Sequence, residues 1–203
     1  VSDRVALVDY GAGNLHSVHN ALKAAGAAQI AVTADPASVL AADRIVLPGV
    51  GAFAACMAGL VAIPDMVDAL NEAAVKRARP FLGICVGMQL MATEGEEHGV
   101  TPGLGWIDGK VSALSPADPA IKVPHMGWND VRPTTPHPLI KPGEAYFLHG
   151  YAFTGSDVLA TTDHGGETVA AIGRDTMLGV QFHPEKSQRY GIELLARFLE
   201  WRP

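Results

Sequence analysis

The sequence predicts an α/β protein built on an open, doubly wound, mostly parallel sheet, with antiparallel strands along one flank. Three observations carry this expectation. Short apolar runs alternate with helical patterns through the first half, and glycine or proline closes each run. The second half, from Gly103 to Met177, changes to short β-like runs rich in Pro, Gly and Thr. The chain then ends on an amphipathic helical pattern.

Taken in order, Val5–Asp9 reads as a strand, followed by the turn residues Gly11-Ala12-Gly13. Asn14 is a suitable N-cap for a helix through Leu15, Val18, Leu22 and Ala25, closed by Gly26. Gln29–Thr33 reads as a second strand and Pro36–Ala41 as a short helix. A third strand, Arg44–Leu47, is expected to break at Pro48-Gly49-Val50-Gly51. Pro64 to Arg77 places Met66, Val67, Leu70 and Ala74 at helical spacing. Phe81–Ile84 is an apolar run of the kind buried in a parallel sheet. Tyr190–Trp201 closes the chain as a helix with Ile192, Leu195, Phe198 and Leu199 on one face. Such a βαβ rhythm places a site at the carboxyl ends of the strands.

Composition bounds the function. The chain has 203 residues, 48% hydrophobic and 18% charged, with a net charge of −6. That length buries a full core and reads as one domain over residues 1–203, with room for an inserted lobe. Mild acidity, with no basic cluster longer than Lys76-Arg77, argues against nucleic acid or an anionic membrane as partner. No apolar run approaches membrane-spanning length, and Val1-Ser2-Asp3-Arg4 leads into a strand without a leader pattern. The two cysteines, Cys56 and Cys85, are expected as free thiols in a cytoplasmic protein, since a lone bridge is needless at this size.

One cysteine stands in a special context. Gly83-Ile84-Cys85-Val86-Gly87 has the form of a nucleophile elbow, with cysteine where serine is usual. A strand that turns at once into a helix forces strained angles at the nucleophile, and flanking side chains would collide. The helix that follows would present its N-terminus to Cys85 and favour thiolate. A βα turn with a buried cysteine between packing glycines fits the same five residues.

A nucleophilic cysteine needs a base and a residue to orient it. His183-Pro184-Glu185 offers both, because side chains two apart in an extended chain share a side. Glu185 can then accept the Nδ1 proton of His183 and leave Nε2 toward the thiol. Alone, His183 reads equally well as a strand-end residue; beside the elbow, the pairing is favoured. For an oxyanion, Val86 N–H is one expected donor, and Pro48-Gly49-Val50-Gly51-Ala52 is the loop expected to supply another. An ordinary glycine turn explains that loop too.

GICVGMQ followed by HPE, in that order and separation, resembles the triad (class I) glutamine amidotransferases. Asp9-Tyr10-Gly11-Ala12-Gly13-Asn14, Pro48–Phe53, Lys122–Asn129 (KVPHMGWN) and His183–Ser187 narrow the resemblance to the glutaminase subunits of imidazole glycerol phosphate synthases, over essentially the whole chain. The resemblance implies Cys85 as nucleophile, His183 as base and Glu185 as its orienter. It places Gln89, the Gly49–Gly51 loop and the Gly150-Tyr151 segment at L-glutamine. It further implies a (β/α)8-barrel cyclase subunit as heterodimer partner, with His125, Trp128, Asn129 and Lys186 toward it. No metal and no cofactor is implied. Gly150 departs from the pattern, since the family segment often has Ser or Thr there. Only a hydroxyl contact to glutamine would be lost by that change.

Other readings of single features are blander. Gly11-Ala-Gly13 begins like a dinucleotide fingerprint, but His16 stands where its third glycine belongs. His16 and His19 lack further metal ligands and read as surface or packing residues, and Cys56 as a small apolar one. Met126 and Trp128 fit a core position as well as an interface. Two further function classes fit the chain: another triad hydrolase or amidotransferase on the same elbow, and a binding subunit that keeps the fold without the chemistry. An intact Cys85, His183 and Glu185 count against the last.

Overall fold

The computed structural model describes residues 3–203. In chain order the elements begin with β1 (Arg4–Val8), α1 (Leu15–Ala24), β2 (Gln29–Thr33), α2 (Pro36–Leu40), β3 (Arg44–Gly49), α3 (Phe53–Ala62) and α4 (Met66–Leu70). There follow β4 (Phe81–Cys85), α5 (Val86–Gln89), β5 (Ala92–Gly95), β6 (Thr101–Pro102), β7 (Ile107–Ala113), β8 (His125–Pro133) and β9 (Gly143–His149). The last are β10 (Tyr151–Gly155), β11 (Val158–Asp163), β12 (Glu167–Arg174), β13 (Met177–Val180) and α6 (Gln188–Glu200).

Nine strands form one sheet in the order β2-β1-β3-β4-β13-β12-β11-β8-β9. The pairs from β2 to β13 are parallel, and those from β13 to β9 antiparallel. The antiparallel strands therefore extend the main sheet as well as flanking it. A second sheet, β10-β7-β5-β6, stands apart. Helix α1 packs against α6 and α2 against α4, the two faces that alternating right-handed crossovers produce. Strands β3 and β4 are buried along their whole length, as apolar strands covered on both faces must be.

Local chemistry explains most boundaries. The Asn14 side chain accepts from Ser17 N–H at the start of α1, and Gly26 just beyond its end adopts φ +106°. Asp35 caps α2 by accepting from Ala37 and Ser38 N–H, with Pro36 at the first helical position. Among the described residues no single helix is long and apolar enough to cross a membrane, although the bent pair Phe53–Ala62 and Met66–Lys76 meets that test together.

Three elements differ from the sequence reading. The third strand does not stop at Leu47 but runs to Gly49. Pro48 is tolerated there because β1 pairs with β3 only as far as Val46, leaving one edge of the strand free at proline. Helix α3 was not expected at all. Its residues are small or apolar all round, so no 3.6-residue contrast marks it. The helix expected from Pro64 to Arg77 is instead α4 followed by a π-helical turn, Asn71–Lys76.

Candidate active site

Cys85 ends β4 and opens α5 with φ 54° and ψ −112°, a conformation that strains any residue with a Cβ. Both flanking glycines are required by close approach. A Cβ at Gly83 would lie 2.6 Å from Gly87 O, and one at Gly87 would strike Leu47 O. The elbow therefore leaves no room for other residues at these two positions.

The base arrives on the neighbouring strand. Strands β4 and β13 pair in parallel, with Gly83 opposite Gly179 and Ile84 opposite Val180, so the two chain ends emerge side by side. His183 follows β13 by three residues. Its N–H donates to Tyr146 O at 2.9 Å and its C=O accepts from Ser187 Oγ at 2.7 Å. His183 Nδ1 lies 2.7 Å from Glu185 Oε1. The segment is not extended as expected. Pro184–Lys186 forms a single 3-10 turn, and that turn brings the carboxylate back onto the ring. Burial alone would lower the His183 pKa, but hydrogen bonds to Cys85 and Glu185 and their charges outweigh it and raise it to about 9.

Cys85, Val86, Gln89, Tyr151 and His183 line one cavity of about 290 Å³, together with Val50, Gly51, Gly150 and Lys186. Gly49 does not reach the cavity. It sits beneath, opposite Cys85 in the β3–β4 ladder, where a Cβ would meet Gly87 N at 2.7 Å and Tyr10 Oη at 2.8 Å. Clefts of about 520 Å³ and about 650 Å³ lie elsewhere, and neither is lined by a cysteine.

The Gly49–Gly51 loop is gripped from below. Tyr10 Oη donates to Pro48 O at 2.7 Å, and Cys56 Sγ donates to Val50 O at 3.4 Å. Burial pushes the Cys56 thiol up, in keeping with a small buried residue. Of the three peptides in this loop, the Gly49–Val50 unit is the one whose carbonyl neither side chain holds.

Sequence reasoning missed four residues here. Glu97 and His149 line the cavity, and Glu97 Oε2 also accepts from Phe53 N–H at the start of α3, 2.8 Å away. Gln181 lies against Cys85, and Tyr10 beneath the loop. Glu97 sits in a run of acids that reads as solvated surface, and Gln181 in a strand-like run where it carries no signal.

The residues expected toward a partner separate into two groups. Trp128 is 48% exposed and Met126 66% exposed, so neither is a core residue. Lys186 is exposed at the cavity rim, its Nζ 5.9 Å from the Tyr146 ring centre, and Tyr146 meets Trp128 edge to face at 6.0 Å. His125 does not reach this surface. It is buried, stacked between Phe147 and His164, and Asn129 turns back to hydrogen-bond His125 Nε2. Strand alternation accounts for the split: Met126 and Trp128 share the outer face, His125 and Asn129 the inner one.

A cysteine on a strained strand–helix elbow, with a histidine–carboxylate pair on the adjacent parallel strand, has the form of a thiol acyl-transfer site. The chain belongs to the class-I glutamine amidotransferases, whose family model matches residues 6–201. Within that class its relatives are specific. Over its whole length it is 64% identical to the imidazole glycerol phosphate synthase subunit HisH of Zymomonas mobilis, of which it covers 98%. It is 56% identical to the HisH subunit of Rhodospirillum rubrum, over 98% of this chain and all of that protein. A crystal structure of a glutamine amidotransferase matches 96% of this chain and 97% of its own, with TM-score 0.72 at 18% identity, a likeness of fold.

Proposed function

We propose that this chain is the glutaminase subunit of a cytoplasmic imidazole glycerol phosphate synthase. It hydrolyses L-glutamine to L-glutamate and ammonia. The ammonia passes to a (β/α)8-barrel cyclase subunit that makes imidazole glycerol phosphate and AICAR ribonucleotide for L-histidine synthesis. The observation that carries the reading is the meeting of Cys85 and His183 on one cavity, with Glu185 2.7 Å behind the imidazole. Full-length identity to HisH subunits supports the choice of synthase. The cavity itself carries one carboxylate, Glu97, and one ammonium, Lys186, a pairing that complements a zwitterionic amino acid.

In the mechanism, Cys85 attacks the side-chain amide carbon of glutamine as thiolate, and a tetrahedral oxyanion forms. Val86 N–H is one donor to it: as the first amide of α5 it has no acceptor within the helix. His183, protonated at neutral pH by its two neighbours, gives its proton to the departing ammonia. The neutral imidazole then takes a proton from water, whose oxygen attacks the glutamyl thioester and releases glutamate.

The second oxyanion donor is Val50 N–H, reached by rotating the Gly49–Val50 peptide between its two gripped neighbours. One oxyanion donor is worth about 10²–10³ in rate. That single rotation therefore switches the subunit, and the cyclase supplies the cue. The exposed strip of Met126, Trp128 and Lys186 beside the cavity is the surface it docks on, with Trp128 as the aromatic anchor.

The test is glutamate release from L-glutamine by the chain alone and with a cognate cyclase and its nucleotide ligand. Strong stimulation that Cys85→Ala abolishes, with ammonium salts still used by the complex, is the expected result. Equal activity with and without the cyclase removes the switch. Retained activity in Cys85→Ala removes the mechanism.

A further inference from the structure

The sulfur of Cys85 has a neighbour that this mechanism leaves unused. Gln181 follows β13 directly, is wholly buried, and is anchored by its N–H to Ala170 O at 2.9 Å. One end of its side-chain amide lies 3.7 Å from Cys85 Sγ. An amide has a donor end and an acceptor end, and its other contacts decide which one faces the sulfur.

The decision starts at a group that can only accept. Tyr151 O lies 3.0 Å from one end of the Gln89 amide, so that end is NH₂. The same NH₂ lies 3.0 Å from an end of the Gln181 amide, which must therefore be the oxygen. What remains toward Cys85 is the Gln181 NH₂. A backbone carbonyl and two glutamines thus fix an N–H on the sulfur, and each orientation follows from the one before.

We propose that Gln181 is a catalytic residue that donates a hydrogen bond to the Cys85 thiolate, beside the one the sulfur shares with His183. The proposal rests on Cys85 being the nucleophile. As a thiol, Cys85 donates to Leu148 O at 3.7 Å, a carbonyl that repels the thiolate once the proton has gone. Gln181 supplies the partner for that charged state. The thiolate occurs twice in the reaction, as nucleophile when the thioester forms and as leaving group when water cleaves it. One donor therefore serves both halves.

The test reads the sulfur directly. The full chain is alkylated with iodoacetamide across a range of pH, and the Cys85 peptide is quantified by mass spectrometry, apart from Cys56. Gln181→Met keeps the volume and removes the donor. Gln181→Glu keeps the shape and places an acceptor at the sulfur. The titratable and charged groups around Cys85 are His183, His149, Glu97, Lys186, Tyr10 and Cys56; Gln181→Met leaves them as they are, and Gln181→Glu adds one carboxylate to them.

Alkylation of Gln181→Met at pH 7 is expected to be at least tenfold slower than in the parent, with the two rates converging above about pH 10, where thiols ionise unaided. Gln181→Glu should move the profile further in the same direction. Superimposed profiles overturn the proposal, as does slowing by one constant factor at every pH, since that is a change of access. If Gln181→Met fails to fold, Gln181→Glu is decisive by the same comparison. Failure of the underlying reading looks different: Cys85→Ala would then still consume glutamine.

Discussion

His125 Nδ1 lies 3.1 Å from His149 Nε2, and the two rings form the middle of a one-way chain of hydrogen bonds. His149 Nδ1 donates to Tyr151 O at 2.8 Å, which leaves its Nε2 as acceptor. His125 must then donate from Nδ1 and accept at Nε2, where Asn129 Nδ2 stands 3.1 Å away. The Asn129 amide is fixed in turn by donating to Asp163 O at 2.7 Å and accepting from Asp130 N–H at 2.8 Å. Both imidazoles are therefore neutral Nδ1–H tautomers, and a further proton on either would set donor against donor.

This arrangement predicts acid sensitivity. Burial, reinforced by neighbouring histidines, lowers His125 to about 3; burial likewise lowers His149 to about 4, against the bond to Tyr151 O. Folded values below the ordinary ~6.5 mean that the unfolded chain binds protons first as pH falls. The contribution of this pair is then complete above about 6.5 and declines from there toward about 3. Urea midpoints at pH 6, 5 and 4.5, below the range in which the His183 contribution changes, should fall in that order, and His149→Gln should flatten the trend. A midpoint constant across that range contradicts the neutral pair.

His183 titrates in the opposite sense. Its folded value, raised to about 9, stabilises the fold fully below about 6.5, and that contribution is lost as pH rises through 9. Glu185→Gln removes a negative charge that raises it and puts an amide, donor at one end and acceptor at the other, where an acceptor-only carboxylate had fixed the tautomer. Glutamine turnover should fall about 10²–10⁴-fold, as for loss of the orienting carboxylate in other triads, and alkaline stability should depend less on pH. Stopped-assay kinetics and urea melts at pH 7 and 9.5 read the two effects separately.

Arg44 is 1% exposed and holds the end of the last helix. Its guanidinium donates to Phe198 O at 2.7 Å, Trp201 O at 2.8 Å and Asp3 Oδ2 at 3.0 Å. Asp3 keeps Arg202 as a second partner, so the loss in Arg44→Ala falls on the two carbonyls and on packing over Phe198. Phe198 O keeps Trp201 N–H at 3.3 Å and Trp201 O keeps Arg202 Nη1 at 3.1 Å. The variant therefore loses two charge-assisted bonds without orphaning either acceptor, about 3 kcal/mol together, which at this size lowers Tm by about 6–12 °C. Calorimetry of the variant checks it; a fall under 2 °C means that those second donors suffice and the guanidinium bonds add little.

Gly150 has room for a side-chain hydroxyl. A Cβ there meets nothing closer than Val123 Cγ1 at 3.8 Å and Pro124 Cβ at 4.0 Å. Gly150→Ser should fold as the parent does. If the hydroxyl contacts glutamine it lowers KM several-fold, and one added hydrogen bond of about 1 kcal/mol sets that scale. An unchanged KM means that this segment serves glutamine through its backbone.

The parallel core was legible because its punctuation is local: Asn14 caps, Gly26 stops, Pro36 starts, and the elbow glycines mark a turn that only they permit. Helix α3 was not, because an all-apolar helix carries no periodic contrast. In the site, Cys85, His183 and Glu185 were readable from a turn motif and a short spacing. The pairing of His125 with His149, and of Gln89 with Gln181, spans long stretches of chain and exists only once strands are placed. Period-two alternation separates Met126 and Trp128 from His125, but it does not say which side is the core.

The β4–β13 register separates the carriers of the nucleophile and its base from the long stretch of chain that joins them. The strands that lead to Cys85 and to His183 run one strand spacing apart, about 4.8 Å, whatever the chain does between them. From β5 to β12 the chain builds the small sheet and the antiparallel half of the main one before β13 returns beside β4. Changes of length in the loops between those strands leave the β4–β13 register untouched, whereas a slip of one rung would move the histidine by about 3.3 Å. The loops and the small sheet can thus change in length or sequence while the nucleophile and its base stay carried by the same two strands.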